Sequence, residues 1–456
     1  MSTSDSSGYS STAQTHAGYE PEGPHRSIAV PIHATTAYAA ESHQQLKDLF
    51  ARRRDGYAYS RSGNPTTCVL ERRVAALEGG IGAIAVASGQ AAVAVGILGL
   101  VAPGDHLVAA SRLYGGTVEF FDDSLADAGV TWSAADPWDL AAVEAAFTDR
   151  TRVLFVESIA NPGAQLADIP ALADIAHRHD AVLVVDNTVA SPALLRPGAL
   201  GADVVIHSAT KYLGGHGAAL AGVVVDTGRF DPRRCPALFP RLTSPNSRFG
   251  VTFSDEYARG ASGYLAYARA KYLTDFGATL PAHSASLLLA GIETLDLRME
   301  RISTTTAQLA AALREHPLVA RVHHPSSPGR PDAGIARRDF PRGTSGVFAI
   351  DLVGGEAAAE AFLDALELVT LAVNIGDSRS LAVHPGSTTH CHLTPSQRAA
   401  CGVSEGTVRL SIGLEDPSDL RADLEQALVT AAAVAERAES ASAAEPDVRE
   451  LARARA

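Results

Sequence analysis

The sequence predicts an α/β fold, in which a large domain carries a mostly parallel sheet and a smaller α+β domain follows it. Short runs rich in Val, Ile and Ala alternate with helical segments along the first part of the chain. Apolar strands separated by helices are typical of parallel sheets that are covered on both faces. After about residue 265, long amphipathic helices with a few strands replace this alternation. The two patterns indicate two domains of different architecture.

Changes in composition divide the chain further. Residues 1–15 are rich in Ser, Thr and Gly, which predicts disorder, and residues 27–59 lack a steady hydrophobic period, which predicts an extended arm. The Ala-, Glu- and Arg-rich tail after residue 440 predicts a frayed helix. We therefore predict an N-terminal tail and arm over residues 1–62, a large domain over 63–265, and a C-terminal domain with a helical tail over 266–456.

The large domain is predicted to begin with a helix over residues 69–77, because the pair Gly79-Gly80 is a C-terminal stop signal. A second helix is predicted over residues 170–178. Six β-rich runs predict strands at residues 84–87, 106–109, 153–157, 182–186, 204–207 and 222–225. Ligands of such sheets bind beyond the carboxyl ends of the strands. The residues that follow each run are therefore the candidate site.

The C-terminal domain is predicted from two strands and two helices. Residues 347–350 and 408–412 have the composition of strands, and residues 287–299 present one apolar face of a long helix. Asp416-Pro417 predicts the start of the last helix, because Asp caps a helix and Pro fits its first position.

Composition excludes several classes of protein. The formal charge is −13 and no block rich in Lys or Arg is present, which disfavours nucleic acids and anionic membranes as partners. The cluster Arg52–Arg54 is interpreted as a solvated helix face. The apolar run over residues 91–102 is too short to span a membrane, and the N-terminus lacks the pattern of a secretory signal.

The cysteines indicate a reducing environment. Four cysteines in a chain of 456 residues do not form a disulfide framework, so we expect a cytoplasmic protein. The run His390-Cys391-His392 could be read as metal ligands. Three consecutive side chains point in different directions, however, and no second cluster completes a coordination shell. We therefore expect no metal.

Three segments that follow predicted strands carry polar residues, and the first is Ser88-Gly89-Gln90. It opens an Ala-rich helix, whose free N–H groups and dipole favour an anion, while Gly89 permits close approach. Taken alone, an ordinary serine cap is the better explanation of Ser88.

The second and third segments end the next two strands. Asp186 closes an apolar run, so its carboxylate needs a partner, which a protonated ring nitrogen or a structural arginine would supply. Ser208, Thr210 and Lys211 offer two hydroxyls and an amine within four residues. This set suits a phosphorylated aldehyde, with the hydroxyls on the phosphate and the amine forming a Schiff base.

In this order along the chain, these residues resemble the Cys/Met-metabolism family of fold-type-I pyridoxal-phosphate enzymes, also called trans-sulfuration enzymes. The resemblance covers residues 16–431 and is strongest to the O-acetylhomoserine sulfhydrylases. It implies that the cofactor is pyridoxal 5'-phosphate, that Lys211 holds it, and that Asp186 pairs with its ring nitrogen. Ser88, Gly89, Ser208 and Thr210 would surround the phosphate, with Gln90 beside them.

The resemblance assigns the remaining site residues. Tyr114 would stack on the cofactor ring and protonate the leaving group, and Asn161 would lie near the ring hydroxyl. Tyr59 and Arg61 would reach the site of a neighbouring subunit, where Tyr59 also meets substrate. This arrangement implies a dimer at least, and a homotetramer as in the family.

Arg409 would clamp the substrate carboxylate, with Asn374 beside it. Strand periodicity supports this assignment independently, because Val408, Leu410 and Ile412 share one face and Arg409 lies on the other.

The implied activity is γ-replacement on an O-acylated homoserine, as in methionine biosynthesis. O-acetylhomoserine and sulfide or a thiol would give homocysteine or a methionine-like product and acetate. The alternatives are a carbon, nitrogen or unusual sulfur nucleophile, and a γ-lyase that releases a 2-oxo acid and ammonia. An inactive regulatory relative is disfavoured, because Lys211, Asp186, Tyr114 and Arg409 are all present.

Several positions separate this chain from other family members. Three features resemble sulfhydrylases. One is the length of the segment between the strand that ends near Val225 and Tyr264, which is about 40 residues. The others are the run Asn374–Asp377, and His384-Pro385 with the residues up to His390. Gly116 replaces the cysteine of methionine γ-lyases. Other positions depart from the family, namely Ser62-Gly63, residues 189–193, Arg379 and Cys391-His392. Of these, residues 189–193 and Cys391-His392 leave the nucleophile open. The sequence also leaves open the acyl group and the choice between dimer and tetramer.

Overall fold

The structure is a computed structural model that describes residues 11–21, 25–391 and 393–444. The predictions for residues 1–10, for His392 and for the end of the tail lie outside the described residues. The described chain forms two compact units. The first contains residues up to 160, 166–300 and 334–344, and the second contains residues 161–165, 301–333 and those from 345 onward. The boundaries predicted at residues 62 and 265 stay a prediction.

Strands and α-helices alternate over residues 65–207 of the described chain. The strands are β1 (Gly82–Val86), β2 (His106–Ala110), β3 (Thr131–Ala135), β4 (Thr151–Glu157), β5 (Val182–Asp186), β6 (Val204–His207), β7 (Gly222–Asp226), β8 (Val319–His323), β9 (Val347–Leu352), β10 (Thr370–Leu371), β11 (Leu381–Val383) and β12 (Thr407–Ser411). The α-helices are α1 (Ser11–His16), α2 (His43–Phe50), α3 (Pro65–Glu78), α4 (Gly89–Leu98), α5 (Gly115–Phe120), α6 (Leu140–Ala145), α7 (Ile169–Arg178), α8 (Ser191–Leu194), α9 (Pro240–Thr243), α10 (Gly263–Ala268), α11 (Thr274–Phe276), α12 (Ala282–Ile292), α13 (Leu295–Arg314), α14 (Ala333–Asp339), α15 (Gly355–Asp364), α16 (Pro395–Ala400) and α17 (Pro417–Ala444).

The sheet of the first unit has the strand order β1-β7-β6-β5-β4-β2-β3. Strands β6, β5, β4, β2 and β3 run parallel to one another, whereas β7 runs antiparallel to both β6 and β1. Because β1 and β6 both oppose β7, they point the same way. The carboxyl ends of these six strands and the start of β7 therefore meet at one edge of the sheet, as predicted.

Local sequence signals define the helix that precedes this sheet. The side chain of Asn64 accepts a hydrogen bond from the N–H of Thr66 at 2.9 Å, and Pro65 occupies the first helical position of α3. Gly79 ends α3 with φ +71°, a conformation that favours glycine. The helices predicted over residues 69–77 and 170–178 are confirmed as α3 and α7, and the six predicted strands are confirmed as β1, β2 and β4–β7.

The sheet of the second unit has the order β10-β11-β12-β9-β8, with β12 at its centre. Val408 and Leu410 of β12 are buried in a hydrophobic core, which also contains Phe348 of β9, Phe362 of α15 and Leu424 of α17. The strands predicted at residues 347–350 and 408–412 and the helix predicted after Asp416 are confirmed. That helix continues to Ala444, the end of the described tail.

Several predictions about local structure were wrong. Residues 11–15 form part of α1 instead of a disordered tail, because the buried Gln14 accepts a hydrogen bond from the N–H of Asp296 at 3.1 Å. The arm contains α2, whose start Ser42 caps by accepting from the N–H of Gln45. Strands β3, β8, β10 and β11 were not predicted. Strand β3 is half-exposed at the sheet edge, and β10 and β11 have two and three residues, too few to show a period.

The long helix predicted over residues 287–299 is two helices, α12 and α13, separated by a turn at residues 293–294. The carbonyl of Gly291 accepts hydrogen bonds from Thr294 and from the guanidinium of Arg298. The side chain of Arg298 thus donates to the carbonyl of Gly291, which in a continuous helix would accept the N–H four residues further on. Among the described residues, no helix combines the length and the apolar character of a membrane span.

A buried carboxyl group lies at the end of β7. Asp226 is fully buried and accepts hydrogen bonds from the hydroxyl of Ser262 at 2.5 Å, the hydroxyl of Tyr257 at 3.1 Å and the N–H of Gly228 at 2.8 Å. Burial raises the pKa of Asp226 to about 6 in spite of these donors.

This raised pKa predicts a pH-dependent stability. The folded carboxyl keeps its proton up to about pH 6, whereas the unfolded one loses it near pH 4, so Asp226 favours folding at low pH and this contribution is lost as the pH rises. From pH 4.5 to pH 8, the wild type should therefore lose about 2 kcal/mol of unfolding free energy relative to Asp226→Asn, whose side chain does not titrate. Urea unfolding at both pH values measures this difference. Asp127→Asn, at an exposed position, is the control, and equal pH dependence in both variants would contradict the assignment.

Candidate active site

The polar segment after β1 packs tightly against the start of β7. Ser88 caps α4, with its hydroxyl oxygen accepting from the N–H of Ala91 at 3.1 Å. Val86 pairs with Gly222 across the two strands, and a Cβ at Gly222 would overlap the carbonyl oxygen of Ser88. The N-terminus of α4 is therefore held at the sheet edge.

The segments after β1 and β6 touch each other. An ideal Cβ on Gly89 would lie 2.5 Å from Cβ of Ser208 and 2.6 Å from its hydroxyl oxygen, closer than side-chain atoms can pack. Only glycine fits at position 89 without moving Ser208. The structure thus brings together Ser88, Gly89 and Ser208, which the sequence analysis assigned to one phosphate.

Lys211 lies in the turn that follows Ser208. Its N–H donates to the carbonyl of Ser208 at 3.0 Å, and its carbonyl accepts from the N–H of Gly215 at 2.7 Å. Thr210 ties this turn to residue 221, because its hydroxyl accepts from the N–H of Ala221 at 2.9 Å and donates to the carbonyl of Ala221 at 3.2 Å. The proton of the Thr210 hydroxyl is therefore already used within the chain.

A buried arginine anchors the same turn from the other side. The guanidinium of Arg298 donates to the carbonyls of Tyr212 and Gly291, both at 2.8 Å, and to that of Leu213 at 3.4 Å. Burial lowers the pKa of Arg298 to about 10, which leaves it cationic at neutral pH. A side chain at Gly215 would overlap this guanidinium. Arg298 was missed by the sequence analysis, since nothing in its local sequence indicates a partner some 80 residues away.

Asp186 lies between the ends of two other strands. It pairs with Glu157 of β4 and Ile206 of β6. Burial raises the pKa of Asp186, while hydrogen bonds from Thr188, whose N–H donates to Oδ1 at 2.9 Å, lower it. The hydroxyl oxygen of Thr188 in turn accepts from the N–H of Ser208 at 2.7 Å. Thr188 therefore couples the aspartate to the segment that carries Lys211.

A buried polar network supports these strand ends. His207 donates from Nε2 to Oε1 of Glu78 at 2.7 Å, and the amide of Asn187 donates to the same oxygen at 3.0 Å. The hydroxyl of Ser158 donates to the amide oxygen of Asn187 at 2.8 Å. These four side chains are at most 1% exposed. The residues just after β4, β5 and the end of β6 are thereby tied to helix α3.

Tyr114 precedes α5, and the residue is 48% exposed. Its N–H donates to Oε1 of Glu157 at 2.6 Å. An ideal Cβ on Gly116 would lie 2.7 Å from the Tyr114 ring, so the ring rests directly on the backbone of α5. The amide of Gln90 donates to the carbonyl of Gly116 at 3.1 Å, which links α4 to α5.

Tyr59 and Arg61 lie on the exposed arm of the first unit. The guanidinium of Arg61 lies 5.6 Å from the centroid of the Tyr59 ring and donates to the carbonyl of Thr274 at 2.8 Å. Tyr59 is 47% exposed. Their predicted role in a neighbouring subunit stays a prediction.

Three of the predicted residues belong to the second unit. Arg409 of β12 is 3% exposed, and its Nη2 donates to the carbonyl of Asn374 at 2.9 Å, so these two residues are adjacent as expected. Val408 and Leu410 face the hydrophobic core, which places Arg409 on the opposite face of the sheet. Asn161 belongs to the segment 161–165 of the same unit.

Two further residues of the site were not predicted, although the sequence contained a signal for one of them. Glu157 ends an apolar strand in the same way as Asp186, and the same argument would have selected it. Thr188 follows Asp186 by two residues and carries no pattern that distinguishes it from an ordinary loop residue.

Comparison with known proteins gives three consistent results. A family model described as "Cys/Met metabolism PLP-dependent enzyme" matches residues 11–429, where PLP is pyridoxal 5'-phosphate. The chain is 41% identical over 417 residues to the sulfhydrylase FUB7 of Fusarium oxysporum f. sp. lycopersici, covering 91% of this chain and 96% of the relative. It is 42% identical over 420 residues to O-acetyl-L-homoserine sulfhydrylase 1 of Thermus thermophilus, covering 91% and 99%.

A crystal structure is also similar over most of the chain. It is a putative O-acetylhomoserine (thiol)-lyase from Campylobacter jejuni, solved with N'-pyridoxyl-lysine-5'-monophosphate at one position. The TM-score is 0.86 at 34% identity, covering 92% of this chain and 99% of the other.

The buried guanidinium of Arg298 predicts a specific loss of stability. Arg298→Met leaves three buried carbonyls without their charged donor, which should lower the free energy of unfolding by about 2–3 kcal/mol. Urea unfolding measures the loss. Arg314→Met, at the exposed end of the same helix, is the control and should change stability little. Equal stability of the two variants would show that Arg298 does not hold the lysine turn.

Proposed function

Because the chain belongs to the family of Cys/Met metabolism PLP-dependent enzymes, we propose that it catalyses γ-replacement on an O-acylated homoserine. Its substrates would be O-acetylhomoserine and sulfide or a thiol, and its products acetate and homocysteine or a methionine-like amino acid. The observation that carries this proposal is the contact between the Gly89 and Ser208 segments beside Lys211, in a chain 42% identical to an O-acetyl-L-homoserine sulfhydrylase.

The residues at the sheet edge fit pyridoxal 5'-phosphate. The N-terminus of α4 at Ser88-Gly89 and the hydroxyl of Ser208 form an anion-binding cradle that a Cβ at position 89 would fill. Lys211 follows within three residues and would hold the aldehyde covalently. The raised pKa of Asp186 fits a carboxylate that gains from a cationic partner such as a protonated ring nitrogen. Thr210 stays a predicted phosphate ligand, although its hydroxyl proton goes to Ala221.

The residues of the chain divide the proton transfers between them. When bound, the cofactor supplies an electron sink for the negative charge that develops at Cα of the substrate. The amine of Lys211 takes the α-proton of the substrate, and a β-proton must also be removed before the acyloxy group can leave Cγ. The carboxylate of Asp186 keeps the ring nitrogen protonated. The backbone N–H of Tyr114 is held by Glu157 and its ring rests on Gly116, and its phenol would protonate the oxygen of the leaving acyloxy group.

Arg409 would bind the α-carboxylate of the substrate. A guanidinium presents two parallel N–H donors that match a carboxylate. The carbonyl of Asn374 fixes the orientation of the Arg409 guanidinium. The burial of Arg409 strengthens its interaction with an anion. Asn161 is proposed to contact the ring hydroxyl of the cofactor.

We also propose that the active unit is a homodimer at least, and that two dimers form a tetramer. The exposed arm with Tyr59 and Arg61 supports this proposal, since these side chains suit a phosphate in a second copy of the chain. The four free cysteines, Cys68, Cys235, Cys391 and Cys401, support a reducing, cytoplasmic setting.

Product analysis tests the proposed reaction. Purified holoenzyme with O-acetylhomoserine should convert sulfide to homocysteine, or methanethiol to methionine, with release of acetate that mass spectrometry detects. Lys211→Ala should abolish turnover and the visible absorbance. A panel of carbon and nitrogen nucleophiles tests the first alternative, and formation of 2-oxobutyrate and ammonia without any replacement product would favour the γ-lyase.

The carboxylate clamp predicts a graded kinetic effect. Each charge-assisted hydrogen bond is worth about 1.5–3 kcal/mol, so Arg409→Ala should lower kcat/KM by orders of magnitude. Arg409→Lys keeps the charge but not the fork and should be impaired less. Steady-state kinetics and the visible spectrum provide the measurement, with the exposed Arg379→Ala as the control. An Arg409→Ala enzyme with near-normal kcat/KM would show that the carboxylate binds elsewhere.

A further inference from the structure

His390 is a buried histidine with one ring nitrogen unused among the described residues. The residue is 2% exposed. Its Nδ1 lies 2.8 Å from the hydroxyl oxygen of Thr389, whereas its Nε2 is buried and makes no hydrogen bond within the described chain. Buried polar atoms in native proteins are almost always paired, and leaving one unpaired costs roughly 1–3 kcal/mol. This nitrogen is therefore available to hydrogen-bond a bound ligand.

The fold places this histidine near Arg409. Val383, the last residue of β11, pairs directly with Arg409 of β12. The turn that follows β11 begins at Pro385, and the N–H of His390 donates to the carbonyl of Pro385 at 2.9 Å. His384 fixes this turn through a 2.8 Å hydrogen bond from its ring to the carbonyl of Glu405. The backbone of His390 is thus held against Pro385, which lies two residues beyond the partner of Arg409.

The imidazole is neutral, and its free nitrogen is best described as a donor. Burial and the nearby charge of Arg409 lower the pKa of His390 to about 4. A lone pair on Nε2 would attract a guanidinium N–H, yet Nε2 makes no such bond. If the hydroxyl of Thr389 donates to Nδ1, the proton lies on Nε2 and no bond to Arg409 is expected. The imidazole N–H and the guanidinium then share a preference for an anionic acceptor.

We propose that His390 is a positioning residue that donates from Nε2 to the substrate carboxylate bound by Arg409. The proposal rests on the proposed function of Arg409 as the carboxylate site and adds a second, neutral donor to it. The same geometry disfavours a metal ion at His390, because its Nδ1 is used by Thr389 and a cation lies nearby. A carboxylate with two oxygens can accept from both residues at once.

Binding of an unreactive amino acid separates this role from catalysis. L-Norvaline has no γ-leaving group, and n-butylamine is the same molecule without its carboxylate. Both can be titrated into the holoenzyme while the visible spectrum is recorded. His390→Asn keeps an amide near Thr389 but has no group at the position of Nε2, so norvaline should bind roughly tenfold more weakly. His390→Gln can place an amide N–H near Nε2 and should bind norvaline within about threefold of the wild type. Butylamine binding should be unchanged in both variants.

Other outcomes would overturn the proposal. Equal weakening of norvaline and butylamine by His390→Asn would show that the carboxylate is not the group recognised. Equal loss in the Asn and Gln variants, together with a lowered Tm, would show a structural role. If the wild type fails to turn over O-acetylhomoserine but norvaline binding still depends on His390, the proposed reaction is wrong and the His390 assignment stands.

Discussion

The close packing of Gly89 against Ser208 is the constraint on which the arrangement of the site depends. It sets the separation between the N-terminus of α4 and the turn that carries Lys211. The segments after β1 and β6 cannot move apart without disrupting the pairing of these strands with β7. The antiparallel strand β7 lies between β1 and β6, so these two segments are neighbours in space although about 120 residues separate them in the sequence. A helix N-terminus, a hydroxyl and an amine converge as a result.

Two buried polar groups, Glu78 and Arg298, tie this edge of the sheet to neighbouring helices. Glu78 at the end of α3 accepts from both His207 and Asn187, so one carboxylate ties the ends of β5 and β6 to a helix. Arg298 satisfies three carbonyls around the lysine turn and is stable as a buried cation through them. Such groups are costly when a partner is lost. Rigidity at the site therefore comes from polar contacts that apolar packing alone would not supply.

The sequence predicted those parts of the fold and site that depend on local pattern. Apolar strands and helix signals identified six strands of the large sheet, and strand ends identified Asp186 and Lys211. A period of two placed Arg409 on the face away from the core. Contacts with distant backbone, such as those of Arg298 with the carbonyls of Tyr212 and Leu213, left no local pattern. Short or half-exposed strands such as β3 and β10 were missed, since neither gives a hydrophobic period.

The central claim is that the cofactor binds where the segments after β1 and β6 meet and is held by Lys211. Reduction of the holoenzyme with sodium borohydride, followed by proteolysis and mass spectrometry, tests this claim directly. The pyridoxyl phosphate group should be found on the peptide that contains Lys211 and on no other lysine. A stoichiometric modification at Lys47 or Lys271, with Lys211 unmodified, would contradict the account.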